Sequence, residues 1–113
     1  LFWRLEAGII LDEATAYKVL TAAEFLALQE GQFVGAPVDV ADGYIHLSTG
    51  AQLKGTLERH FAGQAGLVVV TVDLARVGGE VRWEVSRGGK LFPHLYGRLT
   101  MAAVVAWEGV ELG

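Results

Sequence analysis

Apolar and polar positions alternate with period two over several short stretches of this chain and with period 3.6 over two others. Ala16 to Leu20 reads as a strand, with Tyr17 and Val19 alternating against Lys18 and Leu20. Thr21 then reads as a helix N-cap, because Glu24 three residues on completes a capping box. That helix is expected over 22–29, with Phe25, Leu26 and Leu28 as its apolar stripe and Gly31 as its stop. Residues 33–40 read as a connector, and Asp39 with Asp42-Gly43 as a turn. Tyr44 to Ser48 alternates again. Ser48 or Thr49 caps a second helix over 51–62, whose ridge is Leu53, Leu57 and Phe61. Gln52, Thr56 and His60 form a polar stripe beside that ridge. Gly55 within it costs about 1 kcal/mol relative to Ala, which close approach of another element would explain.

After Gly63 to Gly66, the nearly continuous β-branched run Leu67 to Val72 predicts a strand buried on both faces. Asp73 to Gly79 reads as a loop or single turn. Val81 to Ser86 and His94 to Leu99 alternate as strands, separated by the basic loop Arg87-Gly88-Gly89-Lys90, which Phe92-Pro93 ends. Met101 to Ala103 reads as a helical turn and Val104 to Glu108 as a final strand. The expected fold class is α+β, with two helices on a bent or split, mostly antiparallel sheet of about six strands. Residues 1–16 read as an N-terminal extension, of which Leu1 to Asp12 is either an edge strand or a loosely docked arm, and 17–113 as a single domain. Phe2 and Trp3 are candidates for an interface.

Composition narrows the classes. At 113 residues with 52% hydrophobic content, one domain can bury a core without staples. The net charge of −4 argues against a general nucleic-acid binder and leaves room for a local basic pocket. With no cysteine, thiol catalysis and thiolate metal sites are out. No apolar run approaches the roughly 20 residues of a membrane span, and no secretory signal is read, so the cytoplasm is the default expectation. Nothing in the sequence sets an oligomeric state.

The alternation also places chemistry. Tyr44, His46 and Ser48 share one face of their strand, as do Arg82, Glu84 and Ser86, and His94, Tyr96 and Arg98. If the three faces converge, they line a cleft suited to a small anionic or nucleotide ligand. Arginine forks match phosphate, tyrosines stack, and glutamate accepts from sugar hydroxyls. Arg87 and Lys90 would form its lip. The plain alternative is that each stripe is the wet side of a half-exposed strand. His46 reads either as a pocket residue or as a satisfied core histidine, and His60 as surface packing. His94, following Pro93, has a restrained backbone. The spacings H-x-H and H-E-x-x-H are missing, so no metal is expected. The G-x-x-x-x-G-K-[ST] phosphate loop and the G-x-S-x-G nucleophile elbow are missing too.

Three motifs, in order, carry a resemblance. They are Asp42-Gly43-Tyr44-Ile45-His46-Leu47-Ser48-Thr49, Trp83-Glu84-Val85-Ser86-Arg87-Gly88-Gly89 and Leu91-Phe92-Pro93-His94-Leu95-Tyr96-Gly97. From about Tyr17 to Trp107 the chain resembles the small bacterial domain-of-unknown-function family 952. That family is similar in fold to ADP-ribosyltransferases, including RNA 2′-phosphotransferases that use NAD. The resemblance implies NAD as cofactor and ADP-ribosyl transfer or glycohydrolysis as activity. It places His46 on the adenosine ribose and Ser48 on the nicotinamide amide, with Tyr96 or Tyr44 stacking on nicotinamide. Glu84 would bind the nicotinamide ribose and stabilise the cationic sugar, and Arg87 would hold phosphate. By similarity to the RNA phosphotransferases, Arg82, Arg87, Arg98 and His94 are the available anion-handling and catalytic groups. The residues around Glu84 depart from the usual glutamate motif. The alternative expectation is therefore a non-catalytic module that uses the same cleft to bind a small anionic metabolite or a protein partner.

Overall fold

The computed structural model describes residues 14–110, and the reading of the first dozen residues lies outside them. Among the described residues, six strands form two antiparallel three-stranded sheets, with three helices and two short 3-10 turns. The chain is α+β and the sheet is split.

The first sheet orders β1 (Thr15–Leu20), β3 (Leu67–Asp73) and β6 (Val104–Val110) with β3 in the middle. The β-branched run is buried on both faces, as its pattern requires. Val70 and Val72 face the main core with Leu20, Leu28, Phe33, Ile45, Leu47, Leu95 and Leu99. Leu67 and Val69 face the other way with Val19, against Leu53 and Leu57 of α3 (Gly50–His60) and Phe61, which caps it. The expected ridge of that helix therefore packs as a ridge.

Helix α1 (Ala22–Gln29) carries the predicted capping box: Thr21 Oγ1 accepts from Glu24 N at 3.1 Å, and Glu24 Oε1 from Thr21 N at 2.9 Å. Its stripe is narrower than expected, because Leu26 faces solvent while Leu28 is buried. For α3 the cap is Thr49, reciprocated by Gln52.

Residues 37–42 correct the connector expected there. They form α2 (Pro37–Asp42), and Asp39 lies inside it rather than in a turn. Pro37 occupies the first helical position, where a missing N–H costs nothing. The Asp39 carboxylate reaches back to Ala36 N at 2.8 Å. Gly43, with φ 86°, closes the helix in the left-handed conformation and throws the chain into β2. Read without their geometry, proline and glycine marked a loop. Here they mark the two ends of a helix.

The second sheet orders β2 (Ile45–His46), β5 (Leu91–Arg98) and β4 (Gly78–Val85). Pro93, expected to end the basic loop, sits inside the central strand. Its carbonyl accepts from Leu47 N at 3.1 Å, but it has no N–H to return, so the ladder with β2 stops after two residues. The strand expected over Tyr44–Ser48 is shortened accordingly. Ser48 turns instead to β1, exchanging backbone bonds with Tyr17 at 2.8 and 2.9 Å. That bridge joins the two sheets, and the cleft opens beside it.

A cleft at the junction of the two sheets

Cross-strand register decides whether the three polar stripes meet. His94 pairs with His46 on one side and Arg82 on the other. Residues directly opposite share a face, so the stripes lie together and Ile45, Leu47 and Leu95 of the opposite face enter the core. Tyr44 is the centre of the aromatic cluster. Its ring stacks on His94 with centroids 4.1 Å apart, and lies 4.6 Å from His46 and 5.2 Å from Tyr96. Arg82 covers the Tyr96 ring at 4.4 Å and pairs with Glu80.

Glu84 and His94 form a carboxylate–imidazole pair. His94 Nδ1 lies 2.8 Å from Glu84 Oε1, and the Tyr96 hydroxyl donates to the same oxygen at 2.8 Å. Because a carboxylate only accepts, the proton sits on Nδ1, and the neutral ring keeps its lone pair on Nε2. No hydrogen-bond partner for Nε2 is found among the described residues. Hydrogen bonds from His94 first, then Tyr96, hold the Glu84 carboxyl below its ordinary range. The bond to Glu84 and burial push the Tyr96 phenol up.

His46 is held from both ends. Nδ1 lies 2.7 Å from Asp39 Oδ1 and Nε2 lies 2.9 Å from Asp42 Oδ2. The protonated ring offers a donor to each carboxylate, and the neutral ring offers one. Asp39 also takes the Lys18 ammonium at 2.9 Å, and Lys18 donates to the His46 carbonyl at 3.0 Å. Burial pushes the Asp39 carboxyl up, but the Lys18 charge and the bonds from His46 and Lys18 outweigh it and hold it below its ordinary range.

These groups border a cleft of about 640 Å³ lined by residues of β1, α1, α2, β2, α3 and β5, Glu24 of α1 among them, with Ser86 and Arg87 at one side. Lys18, His46, Ser48, His94 and Arg87 all line it. Among the described residues, the buried polar or charged side chains are Lys18, Asp39, Ser48 and His94. Three line this cleft, and the fourth braces two of its lining residues. Each of the four is hydrogen-bonded, as burial of a polar group requires.

The expected site residues divide clearly. His46, Ser48, His94 and Arg87 come together on the cleft, with Ser48 Oγ 2.8 Å from Thr56 Oγ1. Tyr44, Tyr96 and Glu84 stand on the same sheet face behind His94. Glu84 is not among the residues that line the cleft. Arg98 points elsewhere and donates to the carbonyls of Gly31 and Phe33, at the C-terminal end of α1. His60, expected as surface packing, is exposed and also lines the cleft. From sequence, Asp39 reads only as a turn residue, Thr56 only as part of the polar stripe of its helix and Lys18 only as a strand residue, none of them as a site residue. For Lys18 a signal existed: a lysine in the middle of an otherwise buried strand needs an anion.

Arg87 carries no carboxylate partner among the described residues. It is placed by the Phe92 ring, 4.9 Å from the guanidinium, and by long contacts of 3.5 Å to Thr56 Oγ1. A Cβ on Gly55 would stand 3.2 Å from Arg87 Nη2. The helix glycine is therefore where the guanidinium approaches. Among the described residues no group of three or more His, Asp or Glu side chains is arranged to hold a metal ion. No described helix is long and apolar enough to cross a membrane.

The fold and site define a small α+β domain with two three-stranded sheets and one polar cleft at their junction. The chain belongs to the family described as protein of unknown function (DUF952), whose model matches residues 19–107. It is similar to the crystal structure of protein CC0527 from Caulobacter crescentus, with 42% identity, 88% of each chain covered and a TM-score of 0.81. The solution structure of CC0527 matches at a TM-score of 0.75, with 42% identity over 88% of this chain and 87% of that one. No curated protein matches the chain.

Proposed function

We propose that the cleft binds NAD or a related ADP-ribosyl nucleotide and that His94, backed by Glu84, activates an acceptor hydroxyl or water beside it. The observation that supports this is the gathering of the buried Lys18, Ser48 and His94 with Arg87 on one cavity of about 640 Å³. That volume is within the range of small-molecule sites. The donor set suits such a ligand. Arg87 presents an uncommitted fork for phosphate, Ser48 and Thr56 present hydroxyls for an amide or ribose, and Pro37 and Val38 present an apolar lip for a base.

When bound, the nucleotide supplies an activated glycosidic bond. His94 Nε2 takes the proton of the attacking hydroxyl. The hydroxyl oxygen bonds the ribose carbon as the carbon–nitrogen bond breaks, and nicotinamide leaves with that electron pair. Glu84 keeps the His94 proton on Nδ1 and stabilises the imidazolium that forms. Glu84 thus acts as a positioning residue rather than as the ribose ligand the resemblance implied.

One observation favours the non-catalytic alternative. Both ring nitrogens of His46 face carboxylates, so neither is free for proton transfer. Calorimetry with NAD and ADP-ribose, beside chromatographic detection of released nicotinamide, separates the readings. Enzymatic action predicts release that is lost in His94→Gln and reduced in Glu84→Gln while ADP-ribose still binds. ADP-ribose binding with no release from wild type selects the binding module. No binding of either compound overturns the nucleotide reading.

A further inference from the structure

A second hollow of about 600 Å³ runs along the outer face of α3. Gln52, Gly55 and Arg59 sit at i, i+3 and i+7 on that face and line one wall. Arg87, Lys90 and Phe92 line the other. The Gln52 amide donates to the Leu91 carbonyl at 2.7 Å and ties the two walls together. No acidic side chain lines the hollow.

Its charge is out of keeping with the chain's net −4. Among the described residues, Lys18, Arg76 and Arg82 are paired with carboxylates, and Arg98 is engaged by backbone carbonyls. Lys54, Arg59, Arg87 and Lys90 have no ion-pair partner there, and all but Lys54 converge on this groove. The field they leave is felt nearby. Desolvation, then the charges of Arg87 and Arg59, hold the His60 imidazole below its ordinary range. Gln52 and Arg59 are seven residues apart, about 10 Å along the helix axis, which leaves room for more than a single phosphate. Arg87 and Phe92 line both this groove and the cleft, so the two spaces share a wall.

We propose that the groove is a second anion subsite, built for the phosphate or diphosphate of a small phosphorylated ligand, with Arg59 and Lys90 as its binding residues and Arg87 as the wall shared with the cleft. The anion site stands on the groove alone. Its role as the place where a phosphorylated acceptor rests beside the cleft depends on the reading given above.

The test uses the whole chain and inorganic pyrophosphate, followed by amide and side-chain NMR at constant ionic strength. Saturable shifts are expected at Gln52, Arg59, Gly88 and Lys90. Arg59→Gln with Lys90→Gln should weaken binding by about tenfold or more, as loss of charge-assisted bonds does. Both side chains are free of ion pairs, so the thermal midpoint should hold and report an intact fold. Absence of saturable shifts, unchanged affinity in the double variant, or equal competition by chloride overturns the proposal. A parallel series with ADP-ribose, followed at His46 and Ser48, keeps the two ideas apart. If it fails while pyrophosphate still fills the groove, the nucleotide reading falls and the groove remains.

Discussion

Asp39 Oδ1 lies 2.7 Å from His46 Nδ1, while the other oxygen of the same carboxylate takes the Lys18 ammonium at 2.9 Å. Lys18 is 6% exposed and Asp39 2%. A buried pair of this kind adds little net stability over a well-packed apolar pair, but removing one member strands a charge. Lys18→Met or Asp39→Asn alone should therefore cost about 3–5 kcal/mol in urea unfolding. The double variant should recover a substantial part of that loss, because no charge is left uncompensated. Additive losses would show that the pair does not act as a unit.

The same carboxylate sets an acid limit on stability. Its folded-state pKa lies below its ordinary value, so the unfolded chain binds the proton more readily. The stabilisation is complete above the unfolded carboxylate value of about 4 and is lost as pH falls through the lower, folded value. Wild type should lose stability steeply below about pH 4. Asp39→Asn, weaker at neutral pH, should show a shallower acid slope. Parallel acid curves for the two proteins would remove Asp39 from this role.

Glu84 offers a check confined to the aromatic cluster. Its carboxyl is held low by bonds from His94 and then Tyr96. Tyr96→Phe removes one of the two donors and keeps the ring beneath Arg82. The Glu84 carboxyl should then titrate closer to its ordinary value in carbon-detected NMR, with His94 still bonded to it. An unmoved Glu84 would mean that the Tyr96 hydroxyl does not engage it in solution.

Much of this site was legible from period-two alternation. Once His46, His94 and Arg82 are read as strand residues facing one way, only register decides whether they meet, and antiparallel pairing brings them opposite one another. The residues that escaped reading depend on distant partners. Lys18 and Asp39 are 21 positions apart, and no local pattern joins a lysine in a buried strand to an aspartate in a helix of six residues. Helix α2 itself was hidden because Pro37 and Gly43 carry the same composition as a turn. Pro93 misled for a related reason: a proline is tolerated in a central strand only where the neighbouring ladder ends, and that is a tertiary fact. Glu84 shares its strand face with Arg82 and Glu80. Its position behind His94 follows from side-chain packing that alternation does not encode.

Gly55 joins helix stability to anion handling. Replacing it with alanine should stabilise α3 by up to about 1 kcal/mol, since glycine is a poor helix former at an interior position. The added Cβ would stand 3.2 Å from Arg87 Nη2. That atom is the far end of a flexible side chain, so the guanidinium gives way by a few tenths of an ångström rather than the helix. The long contacts from Arg87 to Thr56 Oγ1, at 3.5 Å, have little strength to lose. Gly55→Ala should therefore raise the thermal midpoint and weaken pyrophosphate binding at the same time. The first is read by calorimetric unfolding and the second by the NMR experiment described for the groove. A lower midpoint would mean that Arg87 is fixed more firmly than its contacts indicate. Unchanged pyrophosphate affinity would mean that the anion does not touch Arg87.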